Sequence, residues 1–169
     1  MTDPIIRPAL PADAPAIARI YNQGLRGRQA TFETRERTAD DVLPWLSIAD
    51  RFPVLVAESG GEVMGWVSAS AYRARECYAG IAEFSVYVDE RARGRRIGDA
   101  LMTAFVPELE RAGFWKVLSR IFPENTASLA LCERHGFTRV GTYRRHARLD
   151  GCWRDVVIVE RLLGAALED

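Results

Sequence analysis

The sequence predicts one domain of mixed helix and strand, α+β or mixed α/β in class. Three observations carry this. Segments whose side chains alternate at period two stand beside segments whose apolar residues recur every three or four positions. In chain order these segments read β α α β β β α β α β β, which a single layered domain accommodates. No repeat, low-complexity tract or linker interrupts the 169 residues, a length that suits one core.

Ile5 to Pro8 reads as a first strand. Asp13 is expected to cap a helix carrying Ala14, Ile17, Ala18 and Tyr21 on one face. Gly24 to Gln29 reads as a loop. Thr38 and Asp41 stand at capping-box spacing, with Asp in place of Glu, and Val42, Trp45 and Leu46 give the next helix its apolar stripe. Val54 to Glu58 and Val63 to Ala71 are expected strands joined at Ser59-Gly60-Gly61, a hairpin signal. Ile81 to Val88 is a fourth strand. A third helix begins near Ile97, with Ile97, Leu101, Phe105 and Leu109 on its face and Gly113 as its C-terminal cap; Pro107 is expected to kink it. Lys116 to Ile121 is a fifth strand, and Pro123-Glu124-Asn125 leads into a fourth helix ending at Gly136. Thr138 to Arg148 and Trp153 to Leu163 are the last strands, around a turn at Asp150-Gly151.

Composition excludes several function classes. The 23 basic and 23 acidic residues cancel, so no global field draws nucleic acid or an anionic membrane. Cys77, Cys132 and Cys152 are scattered and odd in number, which fits neither a zinc site nor a disulfide framework. No apolar run reaches the length of a membrane span, and the first residues carry no signal-peptide pattern. A cytoplasmic protein without a metal is expected.

The stretch from Glu83 to Leu101 carries the first functional signal. A β-type run ends in an Arg/Gly-rich turn that opens directly into a helix. The first amides of a helix lack intrahelical acceptors, and its dipole adds positive charge there. Arg93, Arg95 and Arg96 add full charges. The expected guest is the pyrophosphate of a nucleotide-bearing cofactor; the bland alternative is a solvated arginine turn.

Arg93-Gly94-Arg95-Arg96-Ile97-Gly98 resembles the acetyl-CoA signature of the GNAT N-acetyltransferases, Gln/Arg-x-x-Gly-x-Gly/Ala, with Arg96 in place of the middle Gly. Glycine there permits a positive φ; an Arg is expected to use its amide in an ordinary backbone conformation or to add its guanidinium. Asn125-Thr-Ala-Ser-Leu-Ala-Leu-Cys-Glu-Arg-His-Gly-Phe137 resembles the family's Asn-x-x-Ser/Ala-x-x-Leu-Tyr-x-x-x-Gly-Phe helix. Asn125 also suits a plain N-cap. Ala30-Thr-Phe-Glu-Thr34, Tyr72-Arg-Ala-Arg75 with Tyr78, Glu83-Phe-Ser-Val-Tyr-Val88 and Gly151-Cys-Trp-Arg-Asp155 resemble the phosphinothricin, methionine sulfoximine and arsinothricin N-acetyltransferases. The resemblance covers nearly the whole chain. It implies the GNAT fold, a central mixed sheet of about seven strands flanked by about four helices, in one domain over residues 1–169. It implies acetyl-CoA as co-substrate and a small glutamate-like amino acid as acceptor, acetylated at its α-amino group by direct attack in a ternary complex.

The resemblance also assigns residues. Glu83 stands at the family position of the base that deprotonates the amine; the alternative is a structural Glu paired with an Arg. Val86 and Val88 are to offer backbone N–H groups where the fourth and fifth strands splay, beside Tyr87. Arg93, Gly94, Arg95, Arg96, Ile97, Gly98 and Asp99 would hold the pyrophosphate, with Asn125 and Ser128 along the pantetheine arm. Cys132 stands where relatives carry Tyr or His and is the candidate acid, although a lone Cys on an amphipathic helix is ordinarily a small core residue. Tyr87 and Tyr143 are less specific candidates for that proton. Arg73 and Arg75, two apart after a strand, would aim at one side and clamp a carboxylate. Phe32, Thr34 and Tyr78 would shape the acceptor pocket. His135 is expected at a helix end and His146 near a surface. A homodimer is implied, with Trp153 and the run Val156 to Val159 as its contact. A polyamine or protein N-terminus as acceptor, a non-catalytic acyl-CoA sensor, and a nucleic-acid binder are the rivals.

Overall fold

The structure is a computed structural model and describes residues 3–168. Eleven main elements follow in chain order: β1 (Ile5–Pro8), α1 (Ala14–Arg26), α2 (Ala39–Leu46), β2 (Val54–Ser59), β3 (Glu62–Ala71), β4 (Ile81–Val88), α3 (Ile97–Arg111), β5 (Lys116–Ile121), α4 (Thr126–Arg134), β6 (Thr138–Leu149) and β7 (Cys152–Leu162). The strands form one seven-stranded sheet in the order β1-β2-β3-β4-β5-β7-β6. All neighbours are antiparallel except β4 and β5, which are parallel.

Helices cover both faces. On one, Ile17, Ile20, Tyr21 and Leu25 of α1 and Val42 of α2 pack on Val54, Val56 and Trp66. On the other, Leu101, Phe105 and Leu109 of α3 and Leu129 of α4 pack on Val67, Phe84, Val117 and Val159. The four-residue spacing of Ile97, Leu101, Phe105 and Leu109 is realised in full: none is more than 2% exposed. Each such side chain contributes about 1.5–3 kcal/mol through burial. The hairpin between β2 and β3 turns on Gly60 and Gly61, both at positive φ, as its two-residue loop requires. Asp41 accepts the Thr38 N–H at 2.8 Å, the reciprocal half of a capping box.

Three expectations are corrected. Helix α1 does not end before Gly24 but runs to Arg26. Asp13 precedes α1 without a side-chain cap to it; its carboxylate instead accepts the Leu10 N–H at 2.7 Å and both ends of the Arg7 fork. Strand β7 lies inside the sheet, so Val156, Val157 and Val159 are buried within the chain and are not free to form the contact between copies. Trp153 remains 52% exposed.

The sheet is open in its middle. β4 and β5 pair over Ile81–Glu83 and Lys116–Leu118 only, although both strands continue. Beyond that point β4 stays paired to β3 as far as Val88 opposite Gly65, and β5 stays paired to β7 as far as Ile121 opposite Val157.

Candidate active site

The gap decides which backbone groups are unpaired. Asp89 donates its N–H to the Met64 carbonyl across the β3 side at 2.8 Å. Strand alternation then points Glu83, Ser85 and Tyr87 N–H groups to β3, and those of Phe84, Val86 and Val88 into the gap. The Phe84 carbonyl confirms the sense, because it accepts the Ser119 hydroxyl from β5 at 3.0 Å. The Val86 and Val88 amides thus have no ladder partner.

A cavity of about 690 Å³ opens on this gap. Val86, Tyr87 and Val88 line it from β4, and Arg93, Gly94 and Arg96 from the turn. Ile97, Gly98 and Asp99 line it from α3, and Asn125 and Ser128 from α4. Of the residues expected to hold the coenzyme, Arg95 alone lies outside this lining. The N-terminus of α3 has no side-chain cap, so its first amides are open to an anion. Arg96 precedes it at φ 59° and ψ 23°, the left-handed conformation. The expected ordinary backbone is therefore incorrect: the arginine adopts the geometry that glycine would supply. Gly98 lets α3 approach α4, since a Cβ there would sit 3.1 Å from Leu131 Cδ2.

Two carboxylates brace this end of the molecule. Asp89 is fully buried and accepts from Arg19 Nη1 at 2.5 Å and from the Arg91 N–H at 2.9 Å. Burial alone would raise its pKa, but the hydrogen bonds from Arg91 and Arg19 hold it well below the usual carboxylate range. Asp99 accepts from Arg134 Nε at 3.0 Å and lies 3.1 Å from His135 Nε2. The Arg134 bond, with His135 beside it, also holds the Asp99 carboxyl below its ordinary value. Asn125 caps α4, its side chain accepting the Ser128 N–H at 3.2 Å.

A second cavity, of about 730 Å³, lies on the α1 and α2 face and is lined by Glu83, Ser85, Phe32, Arg37, Ser119, Arg120 and His146, among others. Tyr87 and Ala30 line both cavities. Tyr87 is the shared wall: its ring stacks on Trp66 at 4.9 Å, and burial raises its phenol pKa. Gly24 makes room for it, because a Cβ there would lie 2.5 Å from Tyr87 Cε1. The loop carrying Ala30 and Phe32 is fastened by Arg154, which donates to the Arg28 carbonyl at 2.7 Å, and by the ion pair of Arg28 with Asp150. Phe32 packs edge-on against Phe122 at 4.7 Å.

Glu83 is 19% exposed and accepts from Arg120 Nη2 at 2.8 Å. It lines the second cavity and is paired with an arginine. Cys132 is not brought into either cavity. It is 1% exposed within the core against which α3 and α4 pack, and burial pushes its thiol up to about 12. A thiol so placed is a core residue.

Thr34, Arg73, Arg75 and Tyr78 do not line the second cavity. No continuous strand carries Arg73 and Arg75: β3 ends at Ala71, and Arg75, itself extended, precedes the next turn. The chain bends at Tyr72 and winds into a 3-10 turn over Glu76–Tyr78. Arg73 lies over the Tyr72 ring at 5.2 Å, and Tyr78 meets that ring edge-on at 5.6 Å. Sequence reasoning missed Arg37, Ser119, Arg120 and the placement of His146. Arg120 is two residues past Leu118, the register partner of Glu83, and so shares its face; that signal needs the parallel register. His146 lies in a bulge of β6 between Tyr143 and Ala147, where the Asp155 carboxylate accepts the Arg145 N–H at 2.7 Å.

Among the described residues no helix is long and apolar enough to cross a membrane. Known proteins place the arrangement. The chain is 33% identical over 163 residues to the phosphinothricin N-acetyltransferase of Streptomyces coelicolor, covering 94% of this chain and 95% of that one. Its fold matches a ribosomal-protein-alanine N-acetyltransferase from Brucella melitensis with a TM-score of 0.90 and 33% identity, over 94% of this chain and 99% of the other. It matches a phosphinothricin acetyltransferase from Sinorhizobium meliloti, solved in complex with acetyl-CoA, with a TM-score of 0.89 and 30% identity, over 96% and 90%. With the model of the acetyltransferase (GNAT) family matching residues 16–137, on the strand, turn and helices that build the first cavity, the chain belongs to the GNAT family of acetyltransferases.

Proposed function

We propose that the protein transfers the acetyl group of acetyl-CoA to the α-amino group of a small glutamate-like amino acid, of the phosphinothricin, methionine sulfoximine or arsinothricin type. The observation that carries this is the meeting of two cavities at Tyr87 and Ala30, one bearing an ionisable carboxylate and the other bearing unpaired amides and an open helix N-terminus. The relatives named for phosphinothricin acetylation support the acceptor class.

The first cavity fits the coenzyme on its own chemistry. The α3 amides with Arg93 and Arg96 suit a pyrophosphate, and the Val86 and Val88 amides suit carbonyl oxygens. Bound there, acetyl-CoA supplies an acyl carbon activated as a thioester. The chain's own residues do the rest. Glu83 accepts a proton from the α-ammonium, which in a free amino acid is charged at neutral pH. The free amine forms the N–C bond as the C–S bond breaks. The Val86 and Val88 N–H groups are the donors available to the carbonyl oxygen as its charge grows. The thiolate leaves, and the extra proton on the acylated nitrogen passes to it through water, so Cys132 has no role in the step. The enzyme works in the cytosol as a homodimer. The exposed Val140 and Tyr143 of β6 and Trp153 of β7 form its contact in place of the buried valines of β7.

Thiol release from acetyl-CoA tests the reading, against phosphinothricin, methionine sulfoximine, glutamate, a polyamine and an N-terminal peptide. Selective turnover of the glutamate analogues is expected; turnover of the peptide or polyamine alone overturns the acceptor. Glu83→Gln is expected to lower kcat by about 100-fold or more while leaving acetyl-CoA affinity intact. An unchanged kcat removes Glu83 as base.

A further inference from the structure

We infer that Arg120 is the residue by which the acceptor cavity recognises a free α-carboxylate, and so distinguishes an amino acid from an amine that lacks one; this rests on the reading of Glu83 as base. Two facts place it. Arg120 lies one step along its face from Leu118, at the point where β4 and β5 have just parted. Its side chain crosses from β5 to Glu83 on β4 and contacts it through Nη2 at 2.8 Å. The pair stands at the mouth of the gap, with Glu83 19% exposed and Arg120 53% exposed.

Glu83 is the only protein acceptor that the Arg120 guanidinium meets among the described residues. A guanidinium has five donors in a planar fork, so most remain available on the cavity side. An α-amino acid carries its ammonium and carboxylate on one carbon. It can therefore lie against the Glu83–Arg120 pair in the opposite sense, ammonium to Glu83 and carboxylate to Arg120, with the four charges alternating. A peptide N-terminus offers an amide carbonyl at that place, without charge. A polyamine offers a second cation, which Arg120 repels.

The other basic groups do not serve. Arg37 lines the cavity, but it leans on the Tyr21 ring and towards Glu33 rather than Glu83. Arg73 and Arg75 are exposed on the bent loop beyond Ala71. His146 lines the cavity and stacks on Tyr143 at 4.8 Å, with no contact to Glu83.

The experiment compares methionine sulfoximine, its α-carboxamide and its decarboxylated amine as acceptors for the wild type, Arg120→Met and Arg120→Lys. The readout is kcat and KM from thiol release. A charge-assisted pair predicts that the wild type favours the acid over the carboxamide by about 10- to 100-fold in kcat/KM. Arg120→Met should lose that factor for the acid relative to the carboxamide, mainly in KM; Arg120 also pairs with Glu83, so a change in the base falls on both acceptors alike and cancels in the ratio of their kcat/KM values. Arg120→Lys should recover part of the preference, and its retained turnover guards against a folding defect. An acid-to-carboxamide ratio unchanged in Arg120→Met overturns the inference. So does a wild type that takes all three acceptors equally, an outcome that leaves the acetyltransferase reading standing. A wild type that takes none of the three but acetylates a peptide overturns the amino-acid reading and the role of Arg120 together.

Discussion

Arg96 offers a test of backbone conformation apart from charge. It sits at φ 59° before α3, and its side chain is 82% exposed, reaching Asp99 only at 3.8 Å. Truncating it removes little packing and a loose surface pair, so the backbone decides the outcome. Arg96→Ala keeps a Cβ in the left-handed region; Arg96→Gly removes it. The left-handed conformation costs an L-residue about 1–2 kcal/mol, which glycine avoids. Against this, glycine frees the unfolded chain by about 0.4–1 kcal/mol. The glycine variant should therefore be the more stable of the two by about 0.5–1 kcal/mol, or about 1–4 °C in Tm for a chain of this length. Thermal unfolding of the two purified variants side by side measures it. Both lose the guanidinium, so both should show the same rise in KM for acetyl-CoA. An alanine variant that melts at or above the glycine variant refutes the reasoning.

Three further outcomes are expected. Gly24→Ala places a Cβ 2.5 Å from Tyr87 Cε1 and must shift that ring from its stack on Trp66; denaturant unfolding should show a loss of about 1–3 kcal/mol, and acetyl transfer should fall with it. Cys132→Ala should keep kcat within about twofold of wild type, because the thiol is buried away from both cavities; a tenfold or greater loss would restore Cys132 as the acid. Asp89 has a folded pKa below its unfolded one, so its contribution is present above the ordinary carboxylate range and is lost as pH falls through the folded value. Asp89→Asn should cost about 2 kcal/mol at pH 7 and flatten the fall in stability at acid pH, read by unfolding across pH.

Much of this was legible in the sequence wherever the signal is local. The face of α3, the hairpin at Gly60-Gly61 and the turn from β4 into α3 are each written in a few adjacent residues, and so is the cavity they build. What the sequence hid depends on contacts between distant segments. Gly24 reads as a breaker, yet it lies within α1, where a Cβ would strike Tyr87 of another element. The valines of β7 suit a central strand and an interface equally, and only the strand order separates them. Arg73 and Arg75 were placed by assuming that a strand continues, whereas the chain bends at Tyr72. Arg120 became visible only through the parallel register that sets Leu118 opposite Glu83. At Arg96 the motif's glycine is missing, but the conformation it would have taken is kept.

The short pairing of β4 with β5 makes the sheet, in mechanical terms, two plates riveted at one end. One plate is β1 to β4 and the other is β5, β7 and β6; three ladder pairs join their backbones, with the Ser119–Phe84 and Arg120–Glu83 side-chain bonds beside them. Past the rivets each plate presents an inner edge, the kind of unpaired strand border that proteins elsewhere shield from association. A ligand that seats along this seam takes the place of the absent ladder, so its affinity becomes tensile strength between the plates. At a ligand concentration 100 times Kd that coupling is worth about 2.7 kcal/mol of stability. The empty protein should consequently yield first along the seam, and the occupied one should unfold as a single slab.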